Sequence, residues 1–213
     1  MIDSQKRFSL YYWPTPNGRK ISIMLAELDI EYELIPVNIG TDEQLTPSFI
    51  QKNLNHKIPV LYDQKIDAYL MESAYILLYL SDEFKALAPE HPTARMEMMQ
   101  WLFFQAAHIG PMLGQNHHFN FYNKGKAPYA EERYINETNR LYSVLEKRLE
   151  GRAFILDSYS IVDIAMWPWI ARYPRQSIDL SKYKNVKSWY ETIASRKAVQ
   201  RGYNIFGPSE LIP

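Results

Sequence analysis

A chain of 213 residues can bury one large core or two small ones, so it needs neither a metal nor a disulfide staple. Its 24 basic residues balance 24 acidic ones, which excludes the one-signed surface that holds nucleic acid or anionic lipid. There is no cysteine, which excludes structural disulfides, thiolate zinc sites and a redox pair carried by the protein itself.

The start, Met1 to Arg7, has no apolar signal core, and no later segment approaches about 18 uninterrupted apolar residues. A soluble cytoplasmic protein is expected. Phe8 to Trp13 is an aromatic run closed by Pro14 and Pro16, which predicts a strand ending abruptly at a loop. From Asn17 onward, Ile21, Met24, Leu25 and Leu28 recur on one helical face, with Asn17 at or near the N-cap and Asp29 near the end. Tyr32 to Ile39 reads as a second strand and Pro47 to Lys52 as a short helix. Ile58 to Tyr62 and Ala68 to Met71 read as two further strands, and Ser73 to Asp82 as a helix. Strands that alternate with helices and then pair directly imply a mixed sheet with helices on its faces.

The periodicity breaks at Phe84 to Thr93, where Ala-Pro-Glu-His-Pro-Thr looks like a linker. Beyond it everything reads as helix. Met96 to Phe104 and the stripe Tyr134, Thr138, Leu141, Leu145 and Leu149 fit two helices, the second of about five turns. A third opens at Ser160-Ile161-Val162-Asp163, a capping box in which the hydroxyl of Ser160 and the carboxylate of Asp163 cap each other's amides. Tyr159 is expected to staple against Ile164. His117 and His118 are adjacent, so on a helix they diverge by about 100° and cannot share a metal as an i, i+4 pair can. No metal site is predicted.

Taken together, the Ile58-Pro59 before a strand, the Glu72-Ser73 opening a helix and the Ser-Ile-Val-Asp box resemble the cytosolic glutathione transferases over nearly the whole chain. Thr15-Pro16-Asn17-Gly18, Trp101 to Gln105 and Gly110 to Phe119 look most like the nu class, which contains bacterial glutathione-dependent disulfide-bond reductases. The resemblance implies an α/β thioredoxin-like domain over 1–84, a linker over 85–92 and an all-helical domain over 93–213. It also implies glutathione as cosubstrate and a homodimer. One departure stands out: the family usually has a proline after the first Asn of Asn53-Leu54-Asn55-His56-Lys57, and here that position is Leu54.

Glutathione's thiol titrates near about 8.5 when free, so lowering it by two units takes about 2.7 kcal/mol of preference for the thiolate. A helix N-terminus contributes about 0.3–1 kcal/mol, or about 2 when partly buried, and a hydrogen bond to a charged acceptor about 1.5–3. Neutral donors at the head of the first helix therefore close the gap. Thr15 and Asn17 are the residues placed to be those donors, and the resemblance assigns the thiol site to the same loop. Tyr12 is the competing donor, because some classes use a tyrosine at the end of the first strand. On spacing alone, Asn17 and Thr15 serve equally well as a cap and a turn residue.

The remaining contacts come from the resemblance. The peptide bond Ile58-Pro59 is expected to be cis, with the Ile58 backbone pairing the cysteinyl part of glutathione beside Lys57. Glu72 accepts from the γ-glutamyl ammonium and Ser73 donates to its carboxylate. Gln44 matches a ligand of the glycyl end, and Arg133 matches a basic residue that contacts a glutathione carboxylate. Phe119, Phe121, Tyr122, Trp167 and Trp169 could line an apolar acceptor pocket between the domains, although an aromatic-rich helical core needs such residues anyway.

Two reactions fit. Bound glutathione thiolate attacks a disulfide and a second glutathione resolves the product, or the same thiolate conjugates an electrophilic small molecule. From another class, the fold also serves as a non-catalytic binding or regulatory module.

Overall fold

The computed structural model describes residues 6–207 and 212, and the chain divides into two compact units. Among the described residues, one is built from the chain up to Ala86 together with 197–207, the other from Leu87 to Arg196 with Ile212.

The first unit runs β1 (Phe8–Tyr12), α1 (Pro16–Glu27), β2 (Tyr32–Pro36), α2 (Pro47–Ile50), β3 (Val60–Asp63), β4 (Ala68–Leu70) and α3 (Ser73–Phe84). Its four-stranded sheet has the order β2-β1-β3-β4. β1 and β2 are parallel, while β3 is antiparallel to both β1 and β4, so the sheet is mixed as expected.

Strand ends follow local chemistry. β2 stops at Pro36 rather than Ile39 because one more ladder bond, from the Val37 amide to the Tyr12 carbonyl, is followed by a 3₁₀ turn at Ile39–Thr41. The side chain of Asn38 caps that turn by accepting from the Gly40 amide at 2.9 Å. β3 begins at Val60 rather than Ile58, since Pro59 has no amide to give the ladder. Alternation then sends Tyr11 and Val60 to one face, packed with Val37 and Phe49. Tyr12 takes the other, where its ring lies beside Gly18 of α1.

The last helix described, α9 (Lys197–Tyr203), packs on α1. The approach is close enough that a Cβ on Gly202 would stand 2.5 Å from Ile23 Cα, so only glycine fits there. Ser22 Oγ donates to the Gly202 carbonyl at 2.6 Å and the Arg19 guanidinium lies 3.8 Å from the centre of the Tyr203 ring.

The second unit is helical. α4 (Pro92–Phe104), a π turn (Gln105–Ile109), α5 (Gly110–Asn116) and a second π turn (His117–Tyr122) follow without a break. Pro111 cannot donate to the carbonyl four residues back, which belongs to Ala107 within the wider π turn. α6 (Pro128–Arg148), α7 (Ile161–Ile170) and α8 (Lys184–Ala194) complete it.

The capping box at Ser160 and Asp163 is present. Asp163 does more than cap, because its carboxylate also accepts from the Ile155 amide at 3.0 Å and from Trp189 Nε1 at 2.8 Å. Burial pushes this carboxyl up in pKa against those bonds. Tyr159 packs against Phe154 and under the Arg196 guanidinium. Among the described residues, no helix is long and apolar enough to cross a membrane.

Candidate functional site

Four loops of the first unit meet at one edge of the sheet, and the strand register shows why. Tyr11 pairs with Val60, so the loop leaving β1 and the residues entering β3 lie at the same end. Tyr12 pairs with Pro36 in the parallel strand, which starts the segment leading to Gln44 there too. Leu61 pairs with Leu70, so β4 delivers Glu72 and Ser73 to that edge as well.

At the first loop Thr15, not Asn17, is the N-cap of α1, with Pro16 at the first helical position and Asn17 at the second. The reason is geometric: Thr15 has extended backbone (φ −94°, ψ 163°) and its Oγ1 accepts from the Gly18 amide at 3.2 Å. A Cβ on Gly18 would meet the Trp13 carbonyl at 2.3 Å, so glycine lets the loop fold onto the helix head. Thr15 and Asn17 are half-buried. Tyr12 is fully buried, with its ring edge-on to Phe206 at 5.4 Å, which places it in the core of this unit.

At the third loop the Ile58-Pro59 peptide bond is cis, Ile58 is half-buried, Pro59 buried and Lys57 exposed. Asn53 organises the approach to it. Its Nδ2 donates to the Lys57 carbonyl at 2.8 Å and its Oδ1 accepts from the Asn55 amide at 2.9 Å, closing the loop with its own side chain.

Glu72 stands at the N-cap of α3 with φ 64° and ψ 106°, a conformation that costs a non-glycine residue about 1–3 kcal/mol. Its side chain is exposed and makes no capping bond. Ser73, the first residue of α3, accepts from Lys20 Nζ at 3.1 Å. Lys20 is 2% exposed, and burial pushes its ammonium down to about 7 against the pull of Glu72.

Gln44 lies in a 3₁₀ turn, Glu43–Leu45. Its Nε2 donates to Asp42 at 3.3 Å, while Oε1 is shielded from solvent and has no partner among the described residues. Arg133 belongs to the second unit, on α6, exposed in a groove of about 680 Å³ with Met112, Tyr129, Glu132, Tyr134, Glu137 and Arg140. The structure thus gathers Thr15, Asn17, Ile58, Pro59, Glu72 and Ser73 at one sheet edge and sets Arg133 in another unit.

Of the aromatics, Trp167 is fully buried and stacked on Tyr190 at 5.4 Å, and Trp169 is buried and stacked on His117. Both are core residues. Phe119 stacks on Tyr134, while Phe121 and Tyr122 are exposed. Among the described residues no group of three or more His, Cys, Asp or Glu side chains could hold a metal ion.

Sequence reasoning missed Lys20 and Asn53. Lys20 carried a signal: it precedes Met24 by one helical turn and so is a charge on the apolar stripe of α1.

Residues 6–82 match the glutathione S-transferase N-terminal domain and residues 94–197 match the glutathione S-transferase C-terminal domain. The chain belongs to the glutathione S-transferase family. Its sequence is 46% identical over 195 residues to the disulfide-bond oxidoreductase YfcG of Escherichia coli (strain K12), covering 89% of this chain and 91% of that one. Its fold is similar to a glutathione transferase from Pseudomonas putida solved with one glutathione disulfide bound per subunit, with TM-score 0.90 and 37% identity over 96% of this chain and 94% of that one. It is also similar to a glutathione transferase from Burkholderia graminis solved with two glutathione molecules per subunit, with TM-score 0.87 and 39% identity over 94% and 89% of the two chains. These matches agree with the thioredoxin-like and all-helical halves expected from the sequence.

Proposed function

We propose that this transferase is a glutathione-dependent disulfide-bond reductase that activates the thiolate of bound glutathione at the head of α1. The observation that carries the proposal is the junction of a polar helix head, Thr15 and Asn17, with the exposed Glu72 and the half-buried Ser73 in a chain without cysteine.

Thr15 Oγ1 accepts from the Gly18 amide with a lone pair, and a hydroxyl so engaged still has its hydrogen to donate. That hydrogen and the Asn17 amide stabilise the thiolate at the positive end of the helix. The Ile58 backbone pairs with the cysteinyl residue beside Pro59 and Lys57, Glu72 receives the γ-glutamyl ammonium, and Ser73 donates to its carboxylate. Gln44 Oε1 is an acceptor for the glycyl amide. Arg133 is assigned to a glutathione carboxylate on the resemblance alone.

The reaction balances without a protein thiol. The thiolate attacks one sulfur of the substrate disulfide, forming a glutathionyl mixed disulfide and expelling the other sulfur as a thiolate that takes a proton. A second glutathione thiolate attacks the glutathionyl sulfur, giving glutathione disulfide and releasing the second substrate thiol. The relative named for disulfide-bond oxidoreduction and the neighbours solved with glutathione disulfide or two glutathiones support this over conjugation.

Dependence on reduced glutathione suits a reducing cytoplasm. Met96 and Phe103, exposed seven residues apart on α4, suit burial against a second copy, as in a homodimer.

The test is steady-state turnover of a small disulfide with reduced glutathione, following glutathione disulfide. Turnover above the uncatalysed rate is expected. Conjugation of an aryl halide without disulfide turnover favours the conjugating reading, and tight glutathione binding with neither activity favours a binding module.

A further inference from the structure

Lys20 is enclosed in the first unit, one turn into α1, yet its ammonium ends 3.1 Å from the hydroxyl of Ser73 at the head of α3. An ammonium has only donors, so Ser73 Oγ is the acceptor, and the single hydroxyl hydrogen is turned away from Lys20. A serine hydroxyl otherwise rotates to suit its surroundings. Here one lone pair is already taken, and Ser73 is half-buried beside the exposed Glu72.

We propose that Lys20 is a positioning residue for glutathione: its buried ammonium fixes the Ser73 hydroxyl as a donor and adds a positive charge behind the γ-glutamyl carboxylate. This rests on the reading above that Ser73 receives that carboxylate.

The surroundings of Lys20 fit the role. Glu72 is the carboxylate that draws its charge, and it is exposed where Lys20 is buried. Two nearby cations are engaged elsewhere: Arg19 of α1 covers the Tyr203 ring, and Arg201 of α9 reaches the Ala26 carbonyl and Asp29. Burial alone pushes a lysine toward the neutral amine, and an anion held through Ser73 opposes that. Lys20 and the ligand carboxylate therefore favour each other.

The test measures affinity for S-methylglutathione, whose blocked sulfur removes the thiolate from the comparison. It is paired with the analogue in which γ-glutamyl is replaced by 4-aminobutyryl, which lacks only the carboxylate. Lys20→Met is expected to weaken S-methylglutathione about tenfold, leave the analogue unchanged, and add nothing in a Ser73→Ala background. Loss of affinity for both ligands alike, or full additivity with Ser73→Ala, overturns the proposal.

If Ser73→Ala itself binds S-methylglutathione as well as the natural chain does, the glutathione reading of Ser73 fails and the role of Lys20 falls with it. If Ser73→Ala weakens binding and Lys20→Met does not, only the role of Lys20 fails. Should Lys20→Met not fold, the natural protein decides the matter. The Lys20 side-chain NMR signal is expected to shift on adding S-methylglutathione and not on adding the analogue, and an unmoved signal overturns the proposal.

Discussion

Thr15 Oγ1 accepts from the Gly18 amide at 3.2 Å, so one hydroxyl both closes the first turn of α1 and keeps a hydrogen directed elsewhere. These two roles separate on substitution. Thr15→Ala loses the cap, costing about 1 kcal/mol of stability, and loses a donor to the thiolate. Thr15→Ser keeps both. Disulfide turnover is expected to fall about 10–100-fold in Thr15→Ala and to stay within about threefold in Thr15→Ser. Equal losses in the two variants, measured beside their urea unfolding curves, contradict the hydroxyl's role.

Tyr12 gives the complementary test. Its ring is enclosed between Phe206 and Gly18, so its hydroxyl belongs to the interior of the first unit. Tyr12→Phe is expected to leave turnover within about twofold. A collapse of turnover together with loss of thiolate absorbance would move the activating hydroxyl from Thr15 to Tyr12.

How these residues divide shows what a sequence exposes. The strand, helix and linker order could be read from alternation, one-face spacing and proline placement, because those signals lie within a few residues of one another. Thr15 as the cap could not be separated from Asn17 in that way, since both are good capping residues two positions apart. The backbone of Thr15 decides between them. Asn53 closing its own loop and Lys20 reaching Ser73 depend on contacts 4 and 53 residues away along the chain. α9 looked like part of the helical domain because it is a helix following helices, yet Gly202 lets it pack on α1.

Acid stability of the first unit depends on Asp63. Its fully buried carboxylate accepts from Arg7 Nε at 2.9 Å and Nη2 at 2.7 Å, from Tyr79 at 2.6 Å and from the Lys65 amide at 2.8 Å. Burial pushes its pKa up, but those donors outweigh it and hold the group below the usual carboxylate range. A depressed folded value means stability that is present above about pH 4 and lost as pH falls through the folded pKa. Asp63→Asn is expected to cost about 2–3 kcal/mol at pH 7, with the deficit shrinking toward pH 2. Urea unfolding across that range checks it, and a deficit independent of pH contradicts it.

In the second unit His117 is stacked on Trp169, and burial, with Arg172 and Arg175 nearby, pushes its ring down to about 4. The unfolded ring titrates near about 6.5, so between those values the unfolded state binds the proton that the folded state refuses. Stability is therefore full above about pH 6.5 and declines toward pH 4, by about 2–3 kcal/mol. NMR titration of the ring is expected to show it neutral at pH 5.5. A protonated ring at that pH would contradict the enclosure.

In the proposed reaction the protein lends a charge-stabilising helix head to a sulfur it does not own. Thiolate ultraviolet absorbance of bound glutathione, followed against pH in the natural chain and in Thr15→Ala, tests it most directly. The bound thiol is expected to titrate about two units below its free value of about 8.5, and to return most of the way in Thr15→Ala. A bound thiol that titrates near 8.5 in the natural chain contradicts the account.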